Sequence, residues 1–225
     1  MVTAHDSNYK ELSKLTYDQN KVLYCQRHNY PLFVKTSGFR TGLAANFDKI
    51  YYILSVLENN TDIDWVWWLD TDALITNFNK TIEEFCDNQY HCVIGCETYN
   101  NQLTEEINNG SFFIKNTAQS HELLREIIKE EPNHLDHPWT DQGSMMTVLA
   151  KHQHFKDIIK CVNMRQFNSL EYSYWDAQGW INHSIPGRFE NSQWYPGDFV
   201  MHWAGYPNDV RIKEIKRFLE SKIVY

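Results

Sequence analysis

The spacing of apolar residues along the chain predicts helices that alternate with short strands. The clearest helix covers residues 46–60, where Phe47, Ile50 and Leu54 recur at helical spacing. The final predicted helix has Asn208 as its expected N-cap. That final helix covers residues 208–222, and similar periodicity predicts three more helices over residues 7–28, 120–130 and 141–152.

Short apolar runs between the helices predict strands. The run Trp65–Leu69 is too short and too continuously apolar for a surface element, so we expect a strand that is covered on both faces. Strands that alternate with helices predict an α/β sandwich with a mainly parallel central sheet, whose ligands bind beyond the carboxyl ends of its strands. The other predicted strands cover residues 1–4, 30–36, 91–96, 110–116 and 197–203.

Two aspartates, Asp70 and Asp72, stand at the carboxyl end of the most apolar strand. Residues two apart in a strand point to the same face, so both carboxylates can approach one spot. Two carboxylates at such a short distance repel each other unless a cation neutralises them. Mg²⁺ and Mn²⁺ are coordinated by carboxylate oxygens together with substrate phosphates. The sequence therefore predicts a metal site for a phosphorylated ligand. The alternative is an aspartate pair that only caps a loop.

Composition and charge narrow the classes of function. The chain has 225 residues, 42% of them hydrophobic, so one domain with a sizeable core is expected. The net charge of −8 argues against nucleic acid as a partner. No apolar run approaches the length of about eighteen residues that spans a membrane, and the N-terminus lacks the features of a signal peptide. We expect a soluble protein as given, or one from which an anchor was removed.

The five cysteines do not suggest a disulfide framework, because their number is odd. The spacing of Cys86, Cys92 and Cys96 also does not match a zinc site with its four ligands. Reduced, partly buried thiols are therefore expected for all five, which are Cys25, Cys86, Cys92, Cys96 and Cys161.

Five ordered motifs between residues 45 and 207 resemble glycosyltransferase family 34, which contains galactosyl-, xylosyl- and mannosyltransferases. The aspartate pair alone is a weak signal, but the order of all five is specific. The short chain is also similar to soluble members encoded by large algal viruses. The motifs are WVWWLDTDALITN (65–77), NNGSFFIKN (108–116), TDQGSMMTVL (140–149), RQFNS (165–169) and WYPGDFVMHWAGYP (194–207).

The resemblance implies a GT-A fold, a Rossmann-like nucleotide-binding α/β/α sandwich. It also implies a UDP-sugar donor, Mn²⁺ (or Mg²⁺) and transfer to a glycan or glycoprotein with retention of anomeric configuration. Residues 1–110 would form the nucleotide-sugar half of one domain, and residues 111–225 the acceptor-side half. The location would be cytoplasmic, or the Golgi lumen if the chain is the excised domain of an anchored enzyme. Oligomeric state is left open.

Matching positions in the motifs imply roles for individual residues. Asp70, Asp72 and His202 match the metal ligands, and Asp141 and Gln142 match the catalytic pair beside the transferred sugar. As alternatives, His202 would be a core histidine and Gln142 a helix cap. The donor and nucleotide residues are Thr3, Ala4, Asp6, Tyr9, Lys49, Thr71 and Gly205; the sugar pocket contains Asn108, Gly110 and Ser111; the acceptor side contains Arg165 and Asn168.

The chain departs from the family pattern in two places. Thr140 stands where relatives often have a second acidic residue, and residues 206–209 replace a segment that usually supplies a phosphate-binding lysine. Arg211 or Lys213 is the expected substitute for that lysine.

Two other functions stay open at this level. A phosphatase of the haloacid dehalogenase type would use Asp70 as its nucleophile, although Leu74 stands where that class usually has Thr or Val. A non-catalytic module would bind sugars through aromatic side chains, which make up 15% of the chain.

Overall fold

The computed structural model describes residues 1–221, and within them nine strands form two sheets. The strands are β1 (Val2–Ala4), β2 (Phe33–Lys35), β3 (Trp65–Leu69), β4 (Ala73–Ile75), β5 (Cys92–Tyr99), β6 (Gln102–Lys115), β7 (Ile159–Asn163), β8 (Ser169–Leu170) and β9 (Val200–His202). The helices are α1 (Lys10–Ser13), α2 (Val22–His28), α3 (Ala44–Asn59), α4 (Ala118–Glu130), α5 (Thr140–Lys151), α6 (Gln153–Lys156), α7 (Ser173–Ala177) and α8 (Asn208–Glu220).

The larger sheet has the strand order β2-β1-β3-β6-β5-β7. Only β6 runs against its neighbours, and the pairs β2–β1, β1–β3 and β5–β7 are parallel. The predicted α/β class with a mainly parallel sheet is therefore confirmed. The carboxyl ends of the parallel strands β1 and β3 lie at the same edge of this sheet, and such folds bind ligands at that edge.

Strand β3 is covered on both faces, as its sequence predicts. Val66 and Trp68 pack with α3, α4 and α5 in one core cluster, while Trp67 and Leu69 pack on the opposite side. That opposite side is aromatic, with Trp67 stacked on Phe113. Asp70 continues the face of Trp68, because side chains alternate along the strand.

Strands β5 and β6 form one long hairpin, whereas the sequence predicted two separate short strands. The turn uses Asn100 and Asn101, whose φ angles are +49° and +60°. Asparagine tolerates this left-handed conformation better than other residues with a side chain. The outer part of the hairpin is exposed and polar, so it lacks the apolar pattern on which the prediction depended.

The smaller sheet, with strand order β4-β9-β8, was not predicted beyond strand β9 itself. Its pairs place Ala73 opposite His202 and Leu170 beside His202. Strands β4 and β8 have three and two residues, too few to give a periodic signal. This sheet matters because it joins the segment after Asp72 to the C-terminal part of the chain.

Two local predictions were wrong. Helix α8 begins at Asn208 itself, Pro207 occupies the N-cap position, and no side chain caps the helix; the last residue predicted for this helix, Lys222, lies outside the described residues. Cys96 and Cys161 are bonded to each other, with Cα atoms 5.5 Å apart, so they are not reduced thiols. Their neighbouring strands β5 and β7 bring them together, which spacing along the chain could not show.

The remaining cysteines are free thiols, as predicted: Cys25, Cys86 and Cys92. None of the helices within residues 1–221 is long and apolar enough to cross a membrane. The location of the protein stays a prediction.

The predicted helix over residues 7–28 contains a π-helical segment, Lys14–Lys21, between α1 and α2. The wider turn directs Asn20 and Lys21 at β4. The Asn20 amide bonds both the N–H and the carbonyl of Ile75, at 2.8 Å each. The fully buried Lys21 Nζ donates to the carbonyl of Ala73 at 2.6 Å. The segment thereby fixes the strand that follows Asp72, and π-helical turns are frequent at functional sites.

Burial lowers the pKa of Lys21 to about 7, even though Asp72 and Asp70 oppose the change. Above pH 7 the unfolded chain therefore holds a proton that the folded protein has lost, and stability rises with pH until the ordinary pKa is reached. We predict that stability increases by about 2 kcal/mol between pH 7 and pH 9 through this residue.

Urea unfolding of Lys21→Met at both pH values measures this effect, because the variant should lose that increase. Lys14→Met removes an exposed lysine of the same segment and should keep it. An equal pH dependence in the two variants would contradict the assignment to Lys21.

Candidate active site

Three potential metal ligands meet at the edge of the larger sheet. The ligand atoms of Asp70, Asp72 and His202 all lie within 4.8 Å of one another, and His202 Nε2 is 3.2 Å from Asp72 Oδ1. The meeting follows from the smaller sheet, because Ala73 pairs with His202 and the N–H of Trp203 donates to the carbonyl of Asp72 at 3.1 Å. The structure therefore brings the three predicted ligands together.

Asn168 controls how His202 presents its ring. The Asn168 Nδ2 group donates to Oδ1 and to the carbonyl of Asn108, at 2.8 and 3.2 Å. Its Oδ1 consequently faces His202 Nδ1, 2.9 Å away, and accepts a hydrogen bond from the Nδ1–H group. This assigns the Nδ1 proton to Asn168 and leaves Nε2 as the nitrogen that faces the aspartates, the atom through which a metal ion would be bound.

Asp72 is held by a positive side chain from α8. Arg211 Nη2 lies 2.8 Å from Asp72 Oδ2, and both side chains are largely buried. Burial alone would raise the pKa of Asp72, but Arg211 and His202 outweigh burial and lower it. Arg211 and Lys213 were the two expected substitutes for the phosphate-binding lysine of the family. Arg211 lines the cleft beside Asp72, whereas Lys213 is exposed on α8.

Asp70 lacks such a close ion pair. Its Oδ1 accepts the indole N–H of Trp68 at 2.7 Å, and Lys49 Nζ is 3.8 Å away. Burial raises the pKa of Asp70 despite the charge of Lys49. Two carboxylates and one imidazole nitrogen form a donor set that suits Mn²⁺ or Mg²⁺. Such an ion would offset the cost of holding the Asp70 carboxylate charged in a buried place.

Gly110 is required by the packing of His202. A Cβ atom at this position would lie 2.2 Å from His202 Cε1, a distance that no side chain can have. The carbonyl of Gly110 also accepts the N–H of Asp70 at 2.8 Å. Gly110 therefore supports the three-ligand cluster, although the sequence assigned it to the sugar pocket.

A second polar cluster surrounds Lys49. Its Nζ donates to Asp141 Oδ2 at 2.8 Å and to Oδ1 and the carbonyl of Asn109, at 2.9 and 3.3 Å. These acceptors occupy all three N–H groups of the ammonium, so a phosphate would have to displace one of them. Asn109 also donates through Nδ2 to Asp141 and through its N–H to Gln142 Oε1, at 2.7 and 3.3 Å.

Thr140 carries backbone strain at the start of α5. Its φ of +33° is unusual for any residue with a side chain and more so for a β-branched one. The Thr140 hydroxyl accepts from Asn46 and donates to Asp141 Oδ1, both at 3.0 Å. Such strain often accompanies functional sites, and here it helps to orient the Asp141 carboxylate.

Both clusters border a cleft of about 440 Å³, although His202 is buried behind Asp72 and does not line it. Nine of the residues predicted from sequence line it: Ala4, Asp6, Tyr9, Lys49, Asp70, Thr71, Asp72, Asp141 and Gln142. Sequence reasoning missed six others, and gave His5, Arg211 and Trp68 no settled role there; the missed residues are Phe39, Gly42, Ala45, Asn46, Asn109 and Trp139. Asn109 was missed although it stands inside a quoted motif, between two residues that were chosen.

Several predicted residues support the cleft from outside it. Thr3 is buried and donates to the carbonyl of Leu69 at 2.7 Å, and Ser111 is buried and accepts the indole N–H of Trp67 at 2.9 Å. Arg165 forms a bidentate ion pair with Asp198, at 3.0 and 3.1 Å.

Asn108 and Gly205 also do not line the cleft. Asn108 holds Asn168, as described above, and Gly205 packs against Trp175 with a φ of +71°. Asn168 itself lies behind His202 rather than on a surface that an acceptor could reach.

The sheet topology and the cleft place the chain in the GT-A class of folds. The structure superimposes on a glycosyltransferase involved in glycosylation of the major capsid of PBCV-1, with a TM-score of 0.69 and 17% identity over 96% of this chain and 97% of that one. It also superimposes on the galactosyltransferase LgtC, solved with donor and acceptor sugar analogs, with a TM-score of 0.62 and 16% identity over 97% and 93%.

Sequence comparison finds a family match over part of the chain. Residues 1–89 match the galactosyl transferase GMA12/MNN10 family, which confirms the resemblance inferred from the motifs. An uncharacterized alpha-1,2-galactosyltransferase of Schizosaccharomyces pombe is 24% identical over 87% of this chain. A putative glycosyltransferase of Arabidopsis thaliana is 26% identical over 61% of it. The matches span only 63% and 28% of those two relatives.

The role of Asn168 can be tested by metal binding. We predict that Asn168→Leu weakens Mn²⁺ binding by about 10- to 100-fold, because the His202 tautomer is no longer fixed. Electron paramagnetic resonance of free Mn²⁺ measures this affinity.

Asn116 provides a matched control, because its amide also bonds one histidine and two carbonyls, far from the cleft. Asn116→Leu should keep the wild-type affinity. If both variants bound Mn²⁺ as tightly as the wild type, Asn168 would not orient a metal ligand.

Proposed function

We propose that this protein is a metal-dependent, retaining glycosyltransferase. It would transfer a hexose, pentose or deoxyhexose from a nucleoside diphosphate sugar, with UDP as the carrier, to a hydroxyl of a glycan or glycoprotein. The observation that carries the proposal is the cluster of Asp70, Asp72 and the buried His202, whose two aspartates line a cleft that also contains Asp141 and Gln142. The family match and the GT-A fold supply the reaction class.

Within this proposal the two polar clusters divide the donor between them. Asp70, Asp72 and His202 hold Mn²⁺, or Mg²⁺, which when bound supplies Lewis-acid stabilisation to a leaving diphosphate. Arg211 lines the same end of the cleft and offers a guanidinium to the phosphates, in the role of the missing lysine. Ala4, Asp6 and Tyr9 line the end at which the nucleoside is expected.

The family resemblance implies transfer with retention, and the carboxylates of the cleft bear on which retaining route is favoured. The carboxylates that line the cleft are Asp6, Asp70, Asp72 and Asp141. Asp70 and Asp72 are assigned to the metal, and both oxygens of Asp141 already accept hydrogen bonds. Asp6 lies at the nucleoside end, where both of its oxygens accept from Asn8. With no carboxylate left to form a covalent sugar intermediate, a retaining reaction favours attack of the acceptor on the same face of the sugar, beside Gln142.

Gln142 has a defined orientation for this task. Its Oε1 accepts the N–H of Asn109, which leaves the amide NH₂ to donate to an oxygen of the donor. Asp141 would then act as a positioning group for sugar hydroxyls, with Lys49 balancing its charge. The acceptor proton would go to the departing phosphate, so no separate general base is needed.

The two halves stay a prediction within this proposal. Residues 1–110 would provide the nucleotide face and two of the metal ligands, and residues 111–225 would provide His202, the catalytic pair and the acceptor side. No observation favours the phosphatase or the non-catalytic module, because the matched family and the superimposed structures are glycosyltransferases.

Turnover of a UDP-sugar panel in the presence of Mn²⁺ tests the proposal. We predict release of UDP from one sugar donor, and a product whose anomeric configuration, read by NMR, equals that of the donor. Gln142→Ala should lower turnover by about 100-fold while UDP affinity stays the same, because the lost dipole acts on charge that develops during transfer.

Gln102→Ala, at the exposed hairpin, is the matched control and should be fully active. Failure to release UDP from any sugar, together with phosphate release from simple esters, would replace the proposal by a phosphatase. A change in UDP affinity alone would remove the catalytic role of Gln142.

A further inference from the structure

An exposed pair of indoles lies outside the cleft and has no role in the proposed reaction. The rings of Trp175 and Trp180 are nearly parallel, with centroids 4.9 Å apart and planes inclined by 17°. Trp180 is 70% exposed, the most of any large apolar side chain in residues 1–221. Because Trp175 covers one face of Trp180, the exposed surface is the other face and its edges. We call these two residues the indole platform.

The indole platform is rigidly supported. Trp175 Nε1 donates to the carbonyl of Ala204 at 3.1 Å, and the ring packs so closely over Gly205 that a Cβ there would be 3.1 Å from Trp175 Cζ2. The N–H of Trp180 donates to the carbonyl of Trp175 at 3.0 Å, which closes the turn between them. A preorganised aromatic surface loses little entropy when it binds a partner.

The platform stands beside the proposed metal site. Strands β8 and β9 pair in parallel, with Leu170 next to His202, and α7, which carries Trp175, follows β8 directly. Gly205, beneath Trp175, is the third residue after His202. Neither indole lines the donor cleft, so a molecule on the platform would leave room for a nucleotide sugar.

Polar groups accompany the exposed indole face. Trp180 borders a small cavity of about 70 Å³ together with Asn182 and Arg188. His183 Nε2 lies 2.6 Å from Asp176 Oδ1 in the same segment, and both side chains are about half exposed. A flat apolar face next to amide, guanidinium and carboxylate groups matches a pyranose ring, which has an apolar C–H face and a rim of hydroxyls.

We propose that the indole platform binds a pyranose ring of the glycan acceptor, at a subsite beyond the hydroxyl that reacts. The proposal rests on the glycosyltransferase function proposed above and names where its acceptor is held. The apolar face of the sugar stacks on Trp180, and its hydroxyls bond the neighbouring polar side chains. An exposed aromatic surface next to polar groups is typical of an interaction site, and this one lies at the helix that follows the strand paired with His202.

A glycan array, probed in the presence of Mn²⁺ and UDP, tests this subsite. The array carries mannosides, glucans, galactosides and xylosides, and calorimetry then gives the affinity for the best ligand. We expect Trp180→Ala to weaken glycan binding by about tenfold and Trp180→Phe to keep part of it, because Phe retains a smaller aromatic face.

The controls separate this proposal from the proposed reaction. Mn²⁺-dependent UDP binding should be unchanged in Trp180→Ala, and Leu23→Ala, which removes an exposed apolar side chain on α2, should bind glycan normally. If the wild type bound no UDP, the donor proposal would fail while glycan binding could still support the platform.

Three results would overturn the subsite: no glycan bound by the wild type, equal glycan binding by Trp180→Ala, or self-association of the wild type that Trp180→Ala abolishes. The last would identify a second copy of this chain as the occupant.

Discussion

The structure depends on the close approach of two carboxylates and one imidazole. Asp70, Asp72 and His202 place their ligand atoms within 4.8 Å, an arrangement that is unfavourable without positive charge. The chain supplies part of that charge itself, through Arg211 on Asp72 and, more distantly, Lys49 near Asp70. A divalent cation would complete the compensation.

Much of the surrounding fold serves this approach. The smaller sheet sets Ala73 opposite His202, and the π-helical segment fixes the same strand through Asn20 and Lys21. Gly110 leaves room for the imidazole ring. These contacts come from distant parts of the chain, which explains why the site is assembled only in the complete fold.

The two polar clusters are linked electrostatically. Lys49 lies 2.8 Å from Asp141 and 3.8 Å from Asp70, so one buried ammonium senses both the proposed metal end and the proposed sugar end of the cleft. A change of charge at one end of the cleft therefore alters the electrostatic potential at the carboxylates of the other end. Lys49 therefore has a structural role as the cation between the two clusters, which differs from the contact with the donor that was expected from the sequence.

The long elements and the aspartate pair were predictable from local patterns in the sequence, whereas His202 was assigned only through the family resemblance. Periodicity marks α3, and the apolar run of β3 followed by Asp70 and Asp72 marks the sheet edge. The contacts behind the site leave no such pattern. Asn168 holds His202 and Asn109 holds Asp141 through hydrogen bonds between residues 34 and 32 positions apart, and the Cys96–Cys161 bond joins neighbouring strands.

Calorimetric titration of UDP, with and without Mn²⁺, tests the central claim most directly. We predict that the wild type binds UDP only when Mn²⁺ is present and that Asp72→Asn loses this binding while it stays folded. UDP binding of equal strength without Mn²⁺, or retained by Asp72→Asn, would contradict a metal site formed by Asp70, Asp72 and His202.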